Sequence, residues 1–210
     1  MDTKLTGKTR IESDLIGARE IPAEALYGVQ TLRGIENFSI SKFRLSEYPL
    51  FIKGLAITKM AAAMANFELG LLTVEQKDAI IAACGEILDG KHHDQFPVDM
   101  IQGGAGTTTN MNANEVIANR ALELMGHERG EYQYCSPNDH VNCSQSTNDA
   151  YPTAIHIGMY FKHLQLLPHL EELIASFRKK GEEFSQIIKM GRTRLEDAVP
   201  MTLGQTFNGF

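Results

Sequence analysis

The sequence has few of the features that mark secreted or membrane-spanning proteins. Only three of its 210 residues are cysteine, at positions 84, 135 and 143, and no pair has C-x-x-C spacing. This pattern argues against both a disulfide framework and a zinc site. No run of eighteen apolar residues occurs, and the N-terminus carries charges where a signal peptide needs an apolar stretch. We therefore expect free thiols, no membrane span and a cytoplasmic location.

Positive charge is also scarce. The chain has 20 Lys and Arg against 26 Asp and Glu, which gives a net charge of −6 and a sequence pI of about 5.6. No overall field attracts nucleic acid or an anionic membrane, so an anionic ligand must be held by local groups. The seven histidines show neither H-E-x-x-H nor another metal-binding spacing. We expect no nucleic-acid partner and no metal site.

Helical patterns account for most of the chain. After an irregular arm of about fifty residues, the Ala- and Met-rich stretch from Leu50 to Leu72 predicts a helix. A capping box at Thr73 and Gln76 opens a second helix that ends at Gly90. A third is predicted over 112–124, and a long one over 152–189 that is kinked or interrupted at Pro168. The predicted fold class is mainly α.

The long helix has an apolar stripe that the chain itself is too short to cover. Its members recur at intervals of three, four or seven: Tyr160, Leu164, Leu167, Leu170, Ile174 and Phe177. A helix of this length spans ~55 Å at the usual rise per residue. We expect partner helices from missing sequence or from other subunits. Because the chain stops inside a new helical pattern after Pro200, we also expect it to be a fragment.

Polar clusters occur at three places, over residues 103–110, 144–149 and 191–200, and each is predicted to precede a helix. Free backbone N–H groups and the positive dipole end make a helix start an anion site. Taken singly, each cluster is more often a simple N-cap, and we assign that role to Asp149. The sequence GGAG fits neither nucleotide-binding glycine spacing. Together, the three clusters favour a site for a compact di-anion.

These same segments carry a family resemblance. The stretches GGAGTTTNMNANEV, PNDHVNCSQSTNDAYPTA and KMGRTRLEDAVPMTLGQ resemble the fumarase/aspartase superfamily, and the likeness extends over nearly the whole chain. The forms GAGTTTNMN and STND, with no histidine before PND, are more similar to the aspartase branch than to fumarases. A fumarase-type hydratase remains the alternative within the superfamily.

The resemblance implies a homotetramer whose subunits contribute long helices to one central bundle. It implies an N-terminal helical domain over residues 1–142 and the start of a truncated central helical-bundle domain over residues 143–210. The activity implied is a carbon–nitrogen lyase reaction, the reversible deamination of L-aspartate to fumarate and ammonia, without an organic cofactor. Each active site would collect segments from three subunits.

The resemblance also implies roles for particular residues. Thr107 and Asn148 match positions that contact the substrate amino group. Ser146 and Thr147 match those that hold the β-carboxylate, and Thr193 one that reaches the α-carboxylate. Removing the Cβ proton places negative charge on the adjacent carboxylate, so neutral donors aimed there would stabilise the transition state more than the ground state.

The sequence departs from the family pattern at Arg194, where relatives have His or Gln. An arginine can bind a carboxylate but cannot take a proton, so our hypothesis is that Arg194 points at a carboxylate or away from the site. Similarly, Glu196 replaces a usual Gln, and we interpret it as the partner of an arginine.

The family's catalytic base, a serine in a loop of the type GSSxMPxKxN, has no counterpart here and is expected beyond residue 210. His140 and His156 are weak substitutes. The chain alone is therefore expected to be inactive. A non-catalytic helical polypeptide that serves only assembly is the alternative of another class.

Overall fold

The computed structural model describes residues 7–102 and 104–210. The fold is mainly α, as predicted, with two short hairpins. The elements in chain order are β1 (Thr9–Asp14), β2 (Gly17–Pro22), α1 (Val29–Asn37), α2 (Pro49–Glu68), α3 (Val74–Leu88), α4 (Thr107–Leu124), α5 (Thr147–Glu183), β3 (Ile188–Thr193), β4 (Glu196–Thr202) and α6 (Leu203–Asn208). Single helical turns lie at Leu45–Glu47, His93–Gln95 and Pro137–Val141.

The irregular arm expected at the N-terminus consists of an antiparallel hairpin, β1 paired with β2, followed by α1. Arg10 ties this arm together. Its guanidinium donates to the carbonyl oxygens of Pro22, Ala23, Ala25 and Tyr27 at 2.7–3.2 Å. The planar guanidinium has several donors in fixed directions, so one side chain satisfies the carbonyls of a whole turn.

The predicted pair of tandem helices is confirmed as α2 and α3. The capping box at the start of α3 is present, because Thr73 Oγ1 accepts from Gln76 N at 3.2 Å and Gln76 Oε1 accepts from Thr73 N at 3.1 Å. Gly90 follows the helix with φ of 90°, the left-handed conformation that commonly ends helices. Local sequence signals were sufficient here.

The predicted bounds of two helices were wrong. Helix α4 begins at Thr107, five residues before the predicted start, because Gly106 adopts φ of 87° and turns the chain directly into the helix. Helix α5 begins at Thr147, also five residues early, ends at Glu183 and is continuous through Pro168. A proline removes one N–H and strains one turn, which a long helix tolerates. Ile188 pairs with Thr202, so the chain must leave the helix before residue 189.

Residues up to Tyr160 form one compact unit with its own core. Helices α2, α3 and α4 pack together, and the buried side chains include Ile52, Leu55, Ile80, Ile87, Val116, Ile117 and Leu122. Within the described residues, α2 is the one helix that has the length and apolar composition needed to cross a membrane. Its packing in this core accounts for that apolar composition.

Residues from Phe161 onward form a second compact unit. Strands β3 and β4 make an antiparallel hairpin, and α6 packs near the end of α5 through Phe184 and Phe207, whose rings lie 5.4 Å apart. The apolar stripe predicted on the long helix is largely exposed in this unit, at Leu164, Leu167, Leu170 and Ile174.

The division between the two units falls inside α5, between Tyr160 and Phe161. The domain boundary expected between residues 142 and 143 stays a prediction.

Candidate functional site

The polar segment before α5 forms the N-terminus of that helix. Ser146 occupies the N-cap position: its Oγ accepts from Asn148 N at 3.2 Å, and its carbonyl oxygen accepts from Ala150 N at 3.0 Å. The predicted N-cap, Asp149, is instead in the first turn. A carboxylate there interacts favourably with the helix dipole without capping it. The cap assignment to Asp149 was therefore wrong by three residues.

Thr147 connects the first turns of α4 and α5. Asn110 Nδ2 donates to Thr147 Oγ1 at 3.3 Å and to Asn142 Oδ1 at 3.0 Å. Asn110 is 1% exposed, and its Oδ1 is buried without a hydrogen-bond partner in the described part of the chain. The two helix starts predicted to act together are thus joined by one buried amide.

A groove of about 610 Å³ opens beside these helix starts. It is lined by Asn148, by the loop from Gly104 to Gly106, which Thr107 follows directly, and by Tyr151 and Pro152. The Tyr151 ring lies against Gly106, where a Cβ atom would collide with it. Gly106 therefore serves two needs, a left-handed φ and close contact with an aromatic ring.

Pro152 removes one helical hydrogen bond from the carbonyl oxygen of Asn148. In an α-helix, the N–H of residue i donates to the carbonyl of residue i−4. Because Pro152 has no N–H, the carbonyl oxygen of Asn148 lacks this helical hydrogen bond. Asn148 thus lines the groove with a side-chain amide and a carbonyl oxygen that lacks the usual i+4 donor.

The third predicted cluster does not start a helix. Residues 191–200 lie in the β3–β4 hairpin, and Arg194 and Leu195 form its turn with φ of 49° and 66°. The prediction of three equivalent helix starts was therefore wrong. Thr193 and Arg194 are exposed and belong to the second compact unit, whereas Thr107, Ser146, Thr147 and Asn148 belong to the first.

The arginine next to this turn has its own partner. Arg192 Nη1 lies 3.0 Å from Asp197 Oδ1, and Arg192 Nη2 donates to the Leu195 carbonyl oxygen at 2.9 Å. Glu196 is exposed and begins β4. An arginine partner for Glu196 stays a prediction.

A buried lysine lies beneath the loop that precedes α5. Lys59, in α2, is 0% exposed, and its Nζ donates to Asn142 Oδ1 and Gln145 Oε1 at 2.9 Å each. Burial lowers the pKa of Lys59 to about 7. Cys84 is close, but burial raises the pKa of its thiol to about 12, so it offers no negative charge near neutrality.

Of the two histidines considered as general bases, His140 lies in the Pro137–Val141 turn and His156 is exposed on α5. Ser136 N donates to His140 Nδ1 at 2.7 Å, and burial lowers the pKa of His140. Its ring thus serves the turn that contains it. Within the residues that the structure describes, no group of three His, Cys, Asp or Glu side chains is placed to hold a metal ion. The three cysteines are free thiols.

A protein-family model described as a lyase matches residues 17–210. The chain belongs to this lyase family. Over 201 residues it is 60% identical to the aspartate ammonia-lyase of Pseudomonas canavaninivorans, covering 96% of this chain and 42% of that protein. Over 207 residues it is 57% identical to the aspartate ammonia-lyase of Escherichia coli K12, covering 98% of this chain and 43% of that protein. The lyase chain thus spans less than half the length of these relatives.

Solved structures agree with this family. A fumarate lyase:delta crystallin from Brucella melitensis, bound to cobalt, superposes with a TM-score of 0.89 and 53% identity, over 96% of this chain and 44% of that one. The class II fumarase of Schistosoma mansoni superposes with a TM-score of 0.85 and 39% identity, over 96% of this chain and 42% of that one. The mainly α architecture of the lyase chain is therefore shared across the superfamily.

Sequence reasoning missed the buried polar groups of α2 that contact the loop before α5. Lys59 and Asn66 continue the spacing of the buried residues Ile52, Leu55 and Ala63 on one face of α2. A lysine on the apolar face of a core helix was therefore visible in the sequence. Its partners Asn142 and Gln145 could not be inferred, because they lie more than eighty residues away.

Proposed function

We propose that the complete protein to which this chain belongs is an aspartate ammonia-lyase that converts L-aspartate reversibly to fumarate and ammonia. The observation that carries the proposal is the identity of 57–60% to curated aspartate ammonia-lyases over nearly the whole of these 210 residues. The groove beside the starts of α4 and α5 supports it, because the neutral side chain of Asn148 lines the groove, and Thr107 and Thr147 are direct chain neighbours of the lining residues Gly106 and Asn148.

The groups around the groove suit the charges of the substrate. In the proposed arrangement, Ser146 and Thr147 hold the β-carboxylate at the start of α5, where backbone N–H groups favour an anion. Thr107 and Asn148 face the ammonium group. The carbonyl oxygen of Asn148, freed by Pro152, adds an acceptor for an N–H of that ammonium. The β-carboxylate would thus be bound by Thr147 and the ammonium group by the next residue, Asn148.

The chemistry follows from this polarity. A base removes the Cβ proton, the electrons of the Cβ–H bond form the double bond, and the Cα–N bond breaks with its electron pair leaving on ammonia. In the intermediate, negative charge accumulates on the β-carboxylate. Hydrogen bonds to that carboxylate from hydroxyl and N–H donors at Ser146 and Thr147 would therefore become stronger as the charge develops. We propose that the base is a serine outside residues 1–210.

The β3–β4 hairpin is proposed to complete the site from another subunit. Thr193 would reach the α-carboxylate and Arg194 would bind a substrate carboxylate, since an exposed arginine in a turn is free to form a bidentate contact. The exposed apolar residues of α5 between 164 and 174 support a homotetramer in which they are covered by other subunits. A cytoplasmic location accords with the three free thiols.

The decisive experiment measures fumarate formation by the complete protein, from its ultraviolet absorbance, with L-aspartate and with L-malate as substrates. Aspartate as the better substrate supports the proposal. Malate as the better substrate would establish a fumarase-type hydratase, which the superposition on a class II fumarase makes the second candidate. No fumarate from either would leave the assembly role as the remaining function.

Arg194→Gln should raise KM for aspartate, and an unchanged KM would remove Arg194 from the site.

A further inference from the structure

Lys59 is fully buried, and the groups bound to its amine are neutral. Its Nζ donates to two neutral amide oxygens, those of Asn142 and Gln145, and it forms no ion pair with any carboxylate in the described residues 7–102 and 104–210. Burying an amine that is not paired with a carboxylate is costly, and such an arrangement is more frequent at functional sites than in ordinary cores. The question is what the amine does at this position.

The two amides that bind Lys59 lie at the two ends of a short loop. This loop is closed on itself: Asn142 Nδ2 donates to the Gln145 carbonyl oxygen at 3.1 Å, and Gln145 Nε2 donates to the Val141 carbonyl oxygen at 2.8 Å. Between them, Ser144 has a φ of 56°, a conformation that L-residues rarely adopt. The amine therefore lies at the junction of a folded-back loop that contains a strained residue.

A second contact from α2 holds the middle of the loop. Asn66 Nδ2 donates to the Cys143 carbonyl oxygen at 2.8 Å. The same helix also supports the start of α5, because Gly54 packs so closely against the Ala154 carbonyl that a Cβ atom would collide with it. Helix α2 thus holds both the loop and the helix that follows it, and Ser146 to Asn148 lie between these two points.

We propose that Lys59 is a positioning residue for substrate binding: its amine fixes Asn142 and Gln145 so that Ser146, Thr147 and Asn148 are presented in one geometry. Lys59 does not touch the substrate in this role. The inference rests on the proposed function, since it assigns Lys59 to the segment that holds the β-carboxylate and the amino group. Displacing such a segment by about 1 Å is enough to lower a rate on the order of 100-fold.

The test compares Lys59→Met with Lys53→Met in the complete protein. Lys53 is in the same helix, is partly exposed, and makes no hydrogen bond to residues 141–147 in the described chain. For Lys59→Met we expect KM for aspartate to rise about tenfold and kcat/KM to fall roughly 100-fold, because the binding groups lose their alignment. Lys53→Met should change neither value more than about twofold.

KM separates positioning from a general structural role. A variant that merely folds less well has less active enzyme, which lowers apparent kcat and leaves KM unchanged. A folded Lys59→Met protein with wild-type KM would therefore overturn the proposal. Should Lys59→Met fail to fold, Gln145→Met replaces it in the same assay with the same expected rise in KM. This variant keeps the lysine, removes one of its two acceptors, and also removes the hydrogen bonds from Gln145 to the carbonyls of Val141 and Cys143.

Hydrogen exchange without substrate tests the loop directly. In Lys59→Met, amides of residues 141–149 should exchange about tenfold faster than in the wild type, while those of α3 keep their protection. Faster exchange throughout the first unit would contradict a local positioning role. The experiments distinguish failure of the proposed function from failure of the role proposed for Lys59. A wild type that makes no fumarate from aspartate contradicts the proposed function. The exchange data still decide whether Lys59 orders the loop.

Discussion

The start of α1 and the start of α5 show two uses of the same backbone feature. At α1, the carboxylate of Glu115 accepts from Gly28 N at 2.9 Å, Gln30 N at 2.7 Å and Thr31 N at 3.0 Å. It also accepts from the Thr31 hydroxyl at 2.6 Å. Glu115 is 2% exposed, so the chain fills this helix start with a buried carboxyl group of its own. Burial raises the pKa of Glu115, and the hydrogen bonds from Thr31, Gln30 and Gly28 oppose that rise.

At α5, the corresponding positions are open to solvent. Ser146, Asn148 and Asp149 are exposed, and the Ser146 hydroxyl accepts one backbone N–H. The only acidic residue of the first turn, Asp149, is on the helix itself. A free anion can therefore approach this helix start, whereas at α1 the approach is blocked by Glu115.

The two helix starts therefore differ in what occupies them. Both have the positive dipole end that attracts anions. At α1 the N–H groups stabilise the fold by binding α4 to the N-terminal arm. At α5 the N–H groups of Asn148, Asp149 and Ala150 donate to Ser146, and the exposed side chains remain open to a ligand. We therefore expect substitutions to affect stability at the first start and activity at the second.

The largest expected effect is at Glu115. Glu115→Ala leaves four donors without an acceptor in a buried place, so we expect the free energy of unfolding to fall by about 3–5 kcal/mol. Urea unfolding of the complete protein measures it. Glu75→Ala, which removes an exposed glutamate from the first turn of α3, is the control and should cost less than about 1 kcal/mol. Equal effects of the two substitutions would remove the contrast between the helix starts.

The next effect is at Gly28, which precedes α1. A Cβ atom there would lie 2.6 Å from Glu12 Oε2 and 2.7 Å from the Tyr132 hydroxyl, both inside the same buried cluster. Gly28→Ala should therefore destabilise by about 2–3 kcal/mol. The control, Gly85→Ala in α3, meets no atom within 4 Å and should stabilise the helix by up to about 1 kcal/mol. A neutral Gly28→Ala, measured by urea unfolding, would show that the cluster around Glu115 is loosely packed.

The pH dependence of stability should report on Lys59. Burial lowers its pKa to about 7 from an ordinary 10.5, so between these values the unfolded chain binds a proton that the folded chain releases. The contribution of this group to stability therefore rises with pH in that window and is lost as pH falls through 7. The stability of wild type relative to Lys59→Met should rise by about 2 kcal/mol between about pH 7.5 and 9.

The smallest effect on stability is expected at Ser146. Ser146→Ala removes one exposed cap and should cost about 1 kcal/mol or less. Because the same hydroxyl is proposed to hold the β-carboxylate, kcat/KM for aspartate should nevertheless fall about 100-fold. Urea unfolding and fumarate absorbance measure the two quantities. A large loss of stability with normal kinetics would make Ser146 only a structural cap.

Local signals in the sequence were enough for several features of the fold. The capping box at Thr73, the terminating glycine at 90 and the apolar composition of α2 predicted two helices correctly, because each signal acts within one or two turns. The start of α4 was missed because it depends on Gly106, whose left-handed φ of 87° allows Thr107 to begin the helix at once. A threonine-rich stretch alone gives no sign of this.

The candidate site could be predicted only in part. Thr107 and the residues Ser146 to Asn148 were recognised from clusters and family motifs, and the structure places Asn148 and the loop before Thr107 at one groove. The hairpin that presents Thr193 was taken for a helix start, because its pairing with residues 196–202 depends on contacts across a turn. The shared binding roles of these residues stay predictions.

The sequence by itself determined the helical fold class and family membership, since periodicity, capping residues and motif order are written along the chain. Only the tertiary structure decided which helix start is filled and which is open. Glu115 accepts hydrogen bonds from residues at the start of α1 that are 84–87 positions away in the sequence. Lys59 donates to the loop before α5 across 83–86 positions. Such distant pairs are formed by packing, because buried polar groups must find partners wherever the folded chain brings them.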